Sequence, residues 1–172
     1  MNSNYHIRLA KPDDLSELPE IERQAAALFS ESGFADVLAN ITTPEETLRE
    51  GLRLSRLWVA ADTEDRPVGF ALAGVVGGKA HLDELDVYPQ HCRRGLGSAL
   101  VETVCDWGRQ SSFTGITLTT FSHVPWNAPF YERLGFRILC SDELTEALRE
   151  LMQLEVERGL PGQNRVAMYR EL

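Results

Sequence analysis

The chain has 172 residues, a length typical of one domain with a single core, and its hydrophobic fraction of 43% is ordinary for a globular protein. No apolar run approaches the ~20 residues that a membrane-spanning helix needs. The net charge is −9, and residues 1–90 hold 16 acidic against 8 basic side chains. This charge disfavours nucleic acid, which needs clustered Lys and Arg, and would attract an amine.

The cysteines and the N-terminus indicate a cytoplasmic setting. Cys92, Cys105 and Cys140 are odd in number and form no Cys-x-x-Cys pair, which predicts neither a disulfide framework nor a metal site. No charged-then-apolar signal segment opens the chain. We therefore expect one domain over residues 1–172 that acts in the cytoplasm without a membrane partner. The sequence leaves open whether the protein forms a homodimer.

The first half of the chain reads as a strand, two helices and an antiparallel meander. Helical periodicity runs from Pro12 to about residue 29, with Asp14 and Glu17 spaced as in a capping box. A second helix is expected from Thr43, as its N-cap, to Arg53. The predicted strands of this half are Ile7–Ala10, Leu57–Ala61, Val68–Val76 and Lys79–Tyr88.

The second half alternates helices and strands. An apolar stripe of Leu96, Leu100, Val104 and Trp107 predicts a helix, and Ser141 is expected to cap a later helix that ends near Arg158. With about seven strands in total, the order predicts an α/β or α+β fold. The other predicted elements are strands at Ile116–Phe121, Phe136–Cys140 and Val166–Arg170, and a short helix at Ala128–Leu134.

The junction between the strand ending near Pro89 and the helix after it has the features of an anion site. Arg93 and Arg94 precede the triplet Gly95-Leu96-Gly97. The first amides of a helix lack intrahelical acceptors, the helix dipole is positive there, and glycine lets a phosphate approach the backbone. No Gly-Lys-Ser/Thr follows, and Leu100 occupies the position of the third glycine of a dinucleotide fingerprint. Neither of those two phosphate motifs is therefore present.

A third pattern fits. The spacing Arg-Arg-Gly-x-Gly after Val-x-Pro resembles the acyl-coenzyme A (CoA) pyrophosphate loop of the GCN5-related N-acetyltransferases (GNAT family), with Cys92 where Gln or Arg is usual. The run Asn127–Phe136 is similar to the family's late Tyr-Glu-x-x-Gly-Phe signature, and Val166–Leu172 to its closing strand. The predicted helix over Asp142–Arg158 has no counterpart in the family pattern.

The resemblance implies a GNAT-like mixed, mostly antiparallel sheet of about seven strands with helices on both faces. It also implies an N-acetyltransferase that uses acetyl-CoA as cosubstrate and no metal. The expected reaction is direct attack by the primary amine of a small cationic acceptor in a ternary complex, and the stretch from Phe29 to Thr43 would face that acceptor. Because Cys92 departs from the family pattern, a non-catalytic module that senses acyl-CoA remains the alternative.

The resemblance also carries roles for individual residues. Backbone groups of Leu85 and Val87 would bind the pantetheine and the acetyl oxygen, with the Val87 amide as oxyanion donor. Asn127 would either bind the pantetheine or cap the short helix; an Asn at a helix start favours the cap. The expected cofactor-binding residues are Leu85, Val87, Cys92, Arg93, Arg94, Gly95, Leu96, Gly97, Ser98 and Asn127.

Two side chains are expected to move protons. Tyr131 would protonate the leaving thiolate, and Glu84 is the favoured general base, ahead of Asp83 and His81, with His123 a further candidate. Strand periodicity places Leu82, Glu84 and Asp86 on one side and His81, Asp83, Leu85 and Val87 on the other, unless a bulge exchanges the two faces.

Overall fold

All seven strands join one sheet in the computed structural model, which describes residues 4–172. The spatial order is β1-β2-β3-β4-β5-β7-β6, and the β4–β5 pair alone runs parallel. This confirms the predicted mixed, mostly antiparallel sheet. The strands are β1 His6–Leu9, β2 Leu57–Ala61, β3 Pro67–Val76, β4 Lys79–Val87, β5 Gly115–Phe121, β6 Arg137–Ile138 and β7 Arg165–Glu171.

Helices cover both faces of the sheet, and each face has its own apolar core. The core under the long fourth helix contains Leu96, Leu100 and Val104, which confirms the predicted stripe. The core on the opposite face packs Leu18, Ile21 and neighbours against Phe70 and Leu72. The helices are α1 Leu18–Ala25, α2 Ala35–Ala39, α3 Glu45–Arg53, α4 Leu96–Gln110, α5 Asn127–Arg133 and α6 Glu146–Glu157.

Three α-helices begin later than predicted, and at two of them the predicted capping side chain has another partner. Asp14 accepts the Lys11 amide and pairs with the guanidinium of Arg8, and the segment Pro12–Ser16 is a 3₁₀ turn ahead of α1. The Thr43 hydroxyl donates to the Glu22 carboxylate, and α3 has Pro44 as its N-cap.

The third wrong start is that of α6. Its N-cap is Thr145, whose hydroxyl accepts the Leu148 amide at 3.3 Å, so Ser141 lies outside the helix. The helix is therefore shorter than predicted.

No helix among residues 4–172 combines the length and apolar character that crossing a membrane requires.

Candidate active site

The N-terminus of α4 presents free main-chain donors where the sequence predicts them. Gly95 adopts φ +82°, and its carbonyl accepts the first helical bond, from Ala99 at 3.0 Å. The amides of Leu96, Gly97 and Ser98 precede that bond and have no acceptor within the helix. Arg93 also has a positive φ, of 60°, and strained backbone of this kind often marks a ligand loop.

The side chains of this loop lie in different surroundings. Arg93 and Arg94 are exposed, and Arg94 lies over the Tyr5 ring at 5.7 Å. The Cys92 thiol points inward, toward the carbonyls of Tyr88 at 3.5 Å and Val87 at 3.7 Å. Burial raises the pKa of that thiol, so it is a weak nucleophile at neutral pH.

Strands β4 and β5 part beside the loop. They pair only from Ala80 to Leu82, although β4 continues to Val87. The Tyr88 amide donates to Val68 on β3, and main-chain groups alternate along a ladder. The N–H and C=O groups of Leu85 and Val87 therefore face the gap between β4 and β5, as the splayed strand of the resemblance requires.

A β-bulge at Asp83 exchanges the faces of β4, which is the alternative that strand periodicity left open. Leu72 pairs with Glu84 and Ala73 with Leu82, which leaves Asp83 without a partner opposite. Leu82 therefore shares the α4-side core with Leu85 and Val87. The polar set on the other face consists of His81, Asp83, Glu84 and Asp86, which all line one cavity.

That cavity has a volume of about 750 Å³ and contains a cluster of three carboxylates. Oxygens of Glu22, Glu84 and Asp86 all lie within 4.8 Å of one another. Both Glu22 oxygens accept the Thr43 amide, at 2.9 and 2.8 Å. Three carboxylates this close can hold an ammonium group, a hard divalent cation or shared protons.

Burial dominates the protonation of these acids. It raises the pKa of Glu22 to about 8, with the charge of Glu84 adding to the effect and the Thr43 donors opposing it. Burial likewise raises the pKa of Glu84, and that of Asp86 well above its usual range. Asp83 is accessible to solvent, yet desolvation by the surrounding cavity, followed by the charge of Glu84, raises its pKa to about 7. Such perturbed acids are typical of a catalytic site.

Comparison with known proteins shows which family the chain belongs to. The model of the acetyltransferase (GNAT) family matches residues 20–136, which include the carboxylate cluster and the α4 loop. The chain belongs to the GNAT family. It is an acetyl-CoA-dependent N-acetyltransferase.

Relatives of this GNAT protein share modest sequence identity. It is 28% identical to the uncharacterized N-acetyltransferase YafP of Escherichia coli over 78% of this chain and 83% of that protein. It is 29% identical to the peptidyl-lysine N-acetyltransferase YjaB of Salmonella typhimurium over 59% of this chain and 64% of the relative. The crystal structure of PaiA N-acetyltransferase from Thermoplasma acidophilum with CoA matches all of both chains with a TM-score of 0.72 at 15% identity, which shows a common fold.

In this GNAT protein Tyr131 lies where the loop before α4 and the cavity come close together. Its neighbour Phe130 packs on the α4 N-terminus, where a Cβ at Gly97 would lie 3.3 Å from the Phe130 ring. Tyr131 itself lines the cavity, and burial, then the charges of Glu84 and Asp86, raise its pKa well above the usual value.

The remaining predicted residues differ in where they lie. Asn127 lines the cavity and accepts the Thr120 hydroxyl; the predicted cap is wrong, because α5 has Trp126 as its N-cap. His81 donates to or accepts from Thr117 at 2.7 Å, and burial lowers its pKa to about 4. His123 is exposed and packs edge-on against Phe34, outside the cavity lining.

Sequence reasoning missed the contributions of α1 and α6. Glu22 comes from α1, while Glu155 on α6 accepts from Arg165 and Thr119 inside the cavity. The carboxyl of Glu22 lies among apolar periodic residues of α1, and this interruption of the buried face is the one signal that could have identified it.

Proposed function

We propose that the protein transfers the acetyl group of acetyl-CoA to the primary amine of a small acceptor, which enters the carboxylate cavity as an ammonium cation. Both substrates would be bound together, and the amine would attack the thioester directly. The observation that carries this proposal is that Glu84 and Tyr131 line one cavity beside the gap between β4 and β5. Residues 1–172 would act as one catalytic domain.

Binding of CoA would rely on the main chain. The pyrophosphate would accept hydrogen bonds from the amides of Leu96, Gly97 and Ser98, with Arg93 and Arg94 as mobile countercharges. The pantetheine would lie in the gap, next to the main-chain groups of Leu85 and Val87. Of these, the Leu85 amide also donates to Glu84 Oε1 at 3.3 Å. The Val87 amide would then stabilise the negative oxygen of the tetrahedral intermediate, a type of contact whose removal costs about 3 kcal/mol.

Glu84 is the base that the geometry favours. Its carboxylate adjoins Asp86 and is close enough to Tyr131 to raise the pKa of that phenol. His81, with a pKa near 4, would be a weak base at neutral pH. Asp83 stays a secondary candidate, because it lies on the bulge, where it has no partner opposite on β3.

The proton transfers balance over one turnover. Glu84 takes one proton from the ammonium, and the resulting amine nitrogen forms a bond to the acetyl carbon. The carbon–sulfur bond then breaks, the thiolate takes a proton from Tyr131, and the product nitrogen passes its second proton to the Tyr131 phenolate. Glu84 releases its proton to solvent, which restores both groups. Because the charge of Glu84 raises the pKa of Tyr131, neutralising Glu84 makes the phenol a stronger acid when the thiolate leaves.

The test is the variant Tyr131→Phe, assayed by thiol release from acetyl-CoA with a panel of primary amines. Turnover should fall by about 100-fold or more, the usual effect of losing a general acid, while CoA affinity is retained. Tyr169→Phe is the matched control, because Tyr169 lies on β7 and does not line this cavity. Unchanged turnover in Tyr131→Phe would refute the acid role.

A further inference from the structure

Two arginines lie in the part of the cavity formed by α6 and β7. Arg158 follows the last turn of α6, and Arg165 is the first residue of β7. Both line the same cavity as Glu22, Glu84 and Asp86. The cavity therefore contains groups of both charge signs: α1 and β4 contribute carboxylates, and the α6–β7 segment contributes guanidinium groups.

Arg165 is held rigidly and retains unused donors. Its side chain is only 7% exposed, and its Nη2 donates to Thr119 and Glu155, each at 2.7 Å. The guanidinium stacks over the Phe121 ring at 4.8 Å, and its buried Nε–H has no partner among the described residues. A buried charged donor without a partner is costly, which indicates an acceptor oxygen that is supplied from outside the chain.

Arg158 has a free charge. Its side chain is exposed and forms no ion pair with any residue in the described range 4–172. Protons on Glu22 and Asp86 would lower the negative charge of the cavity at neutral pH, since the pKa values of both acids are raised. A second substrate group of negative charge is thus compatible with the cavity.

We propose that the acceptor carries a carboxylate as well as its primary amine, and that Arg158 and Arg165 bind this carboxylate while Glu84 receives the ammonium. This assignment rests on the proposed function and adds the substrate class: zwitterionic amino acids rather than simple amines or polyamines. Guanidinium groups suit it, because they bind carboxylates through paired N–H donors.

The segment that supplies the arginines also encloses the acceptor. The δ-carbon of Ile41, in the stretch between α2 and α3, lies 3.3 Å from where a Cβ of Gly159 would be. The C-terminal end of α6 therefore contacts the opposite wall of the cavity. This gives the inserted helix a role in acceptor selection, because its removal would open the cavity and delete Arg158.

The experiment compares matched acceptors with the purified full chain and acetyl-CoA. Each amino acid, such as 4-aminobutyrate, β-alanine or glutamate, is paired with its carboxamide and with the amine that lacks the carboxyl group. We expect kcat/KM for the carboxylate member to exceed that of its partners by about tenfold or more in at least one set, the scale of a charge-assisted hydrogen bond.

Variants then assign the effect. Arg158→Gln and the conservative Arg165→Lys should each reduce the carboxylate-to-carboxamide ratio of kcat/KM toward one. Arg149→Gln, on the same helix but outside the cavity, should keep the wild-type ratio. Thermal unfolding of Arg165→Lys reports whether loss of its pairing with Glu155 disturbs the fold, and Arg158→Gln tests the proposal independently of that outcome.

The outcomes separate the two proposals. Acetyl transfer that favours carboxamides or simple amines, or an unchanged ratio in Arg158→Gln, would overturn the carboxylate assignment and leave the proposed chemistry intact. Absence of transfer to every amine in the panel would count against the proposed function and against this inference with it.

Discussion

The two ends of the site are built in different ways. At the proposed coenzyme end, neighbouring residues of one loop would supply the donors, and most of these would be main-chain amides of α4. At the acceptor end, side chains from α1, β4, α5, α6 and β7 converge on one cavity. The first end depends on backbone conformation, whereas the second depends on which long-range contacts bring particular side chains together. Substitutions should therefore act by backbone strain at one end and by charge at the other.

The largest effect should come from Glu84→Gln at the acceptor end. Removing the base should lower kcat by about 10²–10³-fold, because the ammonium then loses the carboxylate proposed to accept its proton. The pH–rate profile should also lose its acid limb. The matched control is Glu46→Gln, since Glu46 is exposed on α3 and outside the cavity. A Glu84→Gln enzyme that keeps the wild-type acid limb would assign the base to Asp83 or another group.

The second effect is on stability, and it comes from Glu22 at the acceptor end. The pKa of Glu22 is about 8 in the folded protein against an ordinary 4.5, so the folded state binds this proton more tightly than the unfolded state. The contribution of Glu22 to the free energy of unfolding should thus be greatest below pH 4.5. It should fall as pH rises toward 8, by at most about 1.4 kcal/mol per pH unit.

Denaturant unfolding from pH 5 to 9 measures this slope. Glu22→Gln should flatten it, and Glu46→Gln should not. Equal slopes in wild type and Glu22→Gln would mean that Glu22 ionises in the folded protein as it does in the unfolded chain.

A smaller effect is expected from Gly95→Ala at the coenzyme end. Gly95 has φ +82°, and no atom lies within 4 Å of where a Cβ on this residue would be, so Gly95→Ala should strain the backbone by about 1–2 kcal/mol without a clash. Gly78 has φ +76° and equally open space, but it lies in the β3–β4 turn. Both variants should lose similar stability, and only Gly95→Ala should weaken CoA binding, measured by calorimetry. Equal CoA affinity in the two variants would contradict main-chain recognition.

The smallest effect should come from Cys92→Ala. The thiol contacts two carbonyls and its amide is unchanged by the substitution, so turnover should stay within about threefold of wild type. Initial rates with both substrates varied should give intersecting lines, as direct transfer requires. Parallel lines, with activity lost in Cys92→Ala, would instead indicate an acyl-enzyme on that cysteine.

The same contrast explains how much could be predicted from the sequence. The sheet, the α4 stripe and the glycine loop are local patterns, and the structure confirms them. Regular alternation misplaces the faces of β4, because a bulge at Asp83 shifts it by one residue. The sequence allowed for such a bulge, but an acidic run gives no clear sign of where it lies. The predicted capping role of Thr43 fails for a similar reason. Thr43 binds Glu22, 21 residues away, and such a pairing exists only in the folded chain.

The most direct test of main-chain recognition and of the acid role together is a crystal structure of the protein with CoA bound. We expect the pyrophosphate to lie on the amides of Leu96 to Ser98, and the sulfur to lie within hydrogen-bonding reach of the Tyr131 hydroxyl, facing Glu84. A pyrophosphate held elsewhere would contradict main-chain recognition, and a sulfur that lies away from Tyr131 would contradict the acid role.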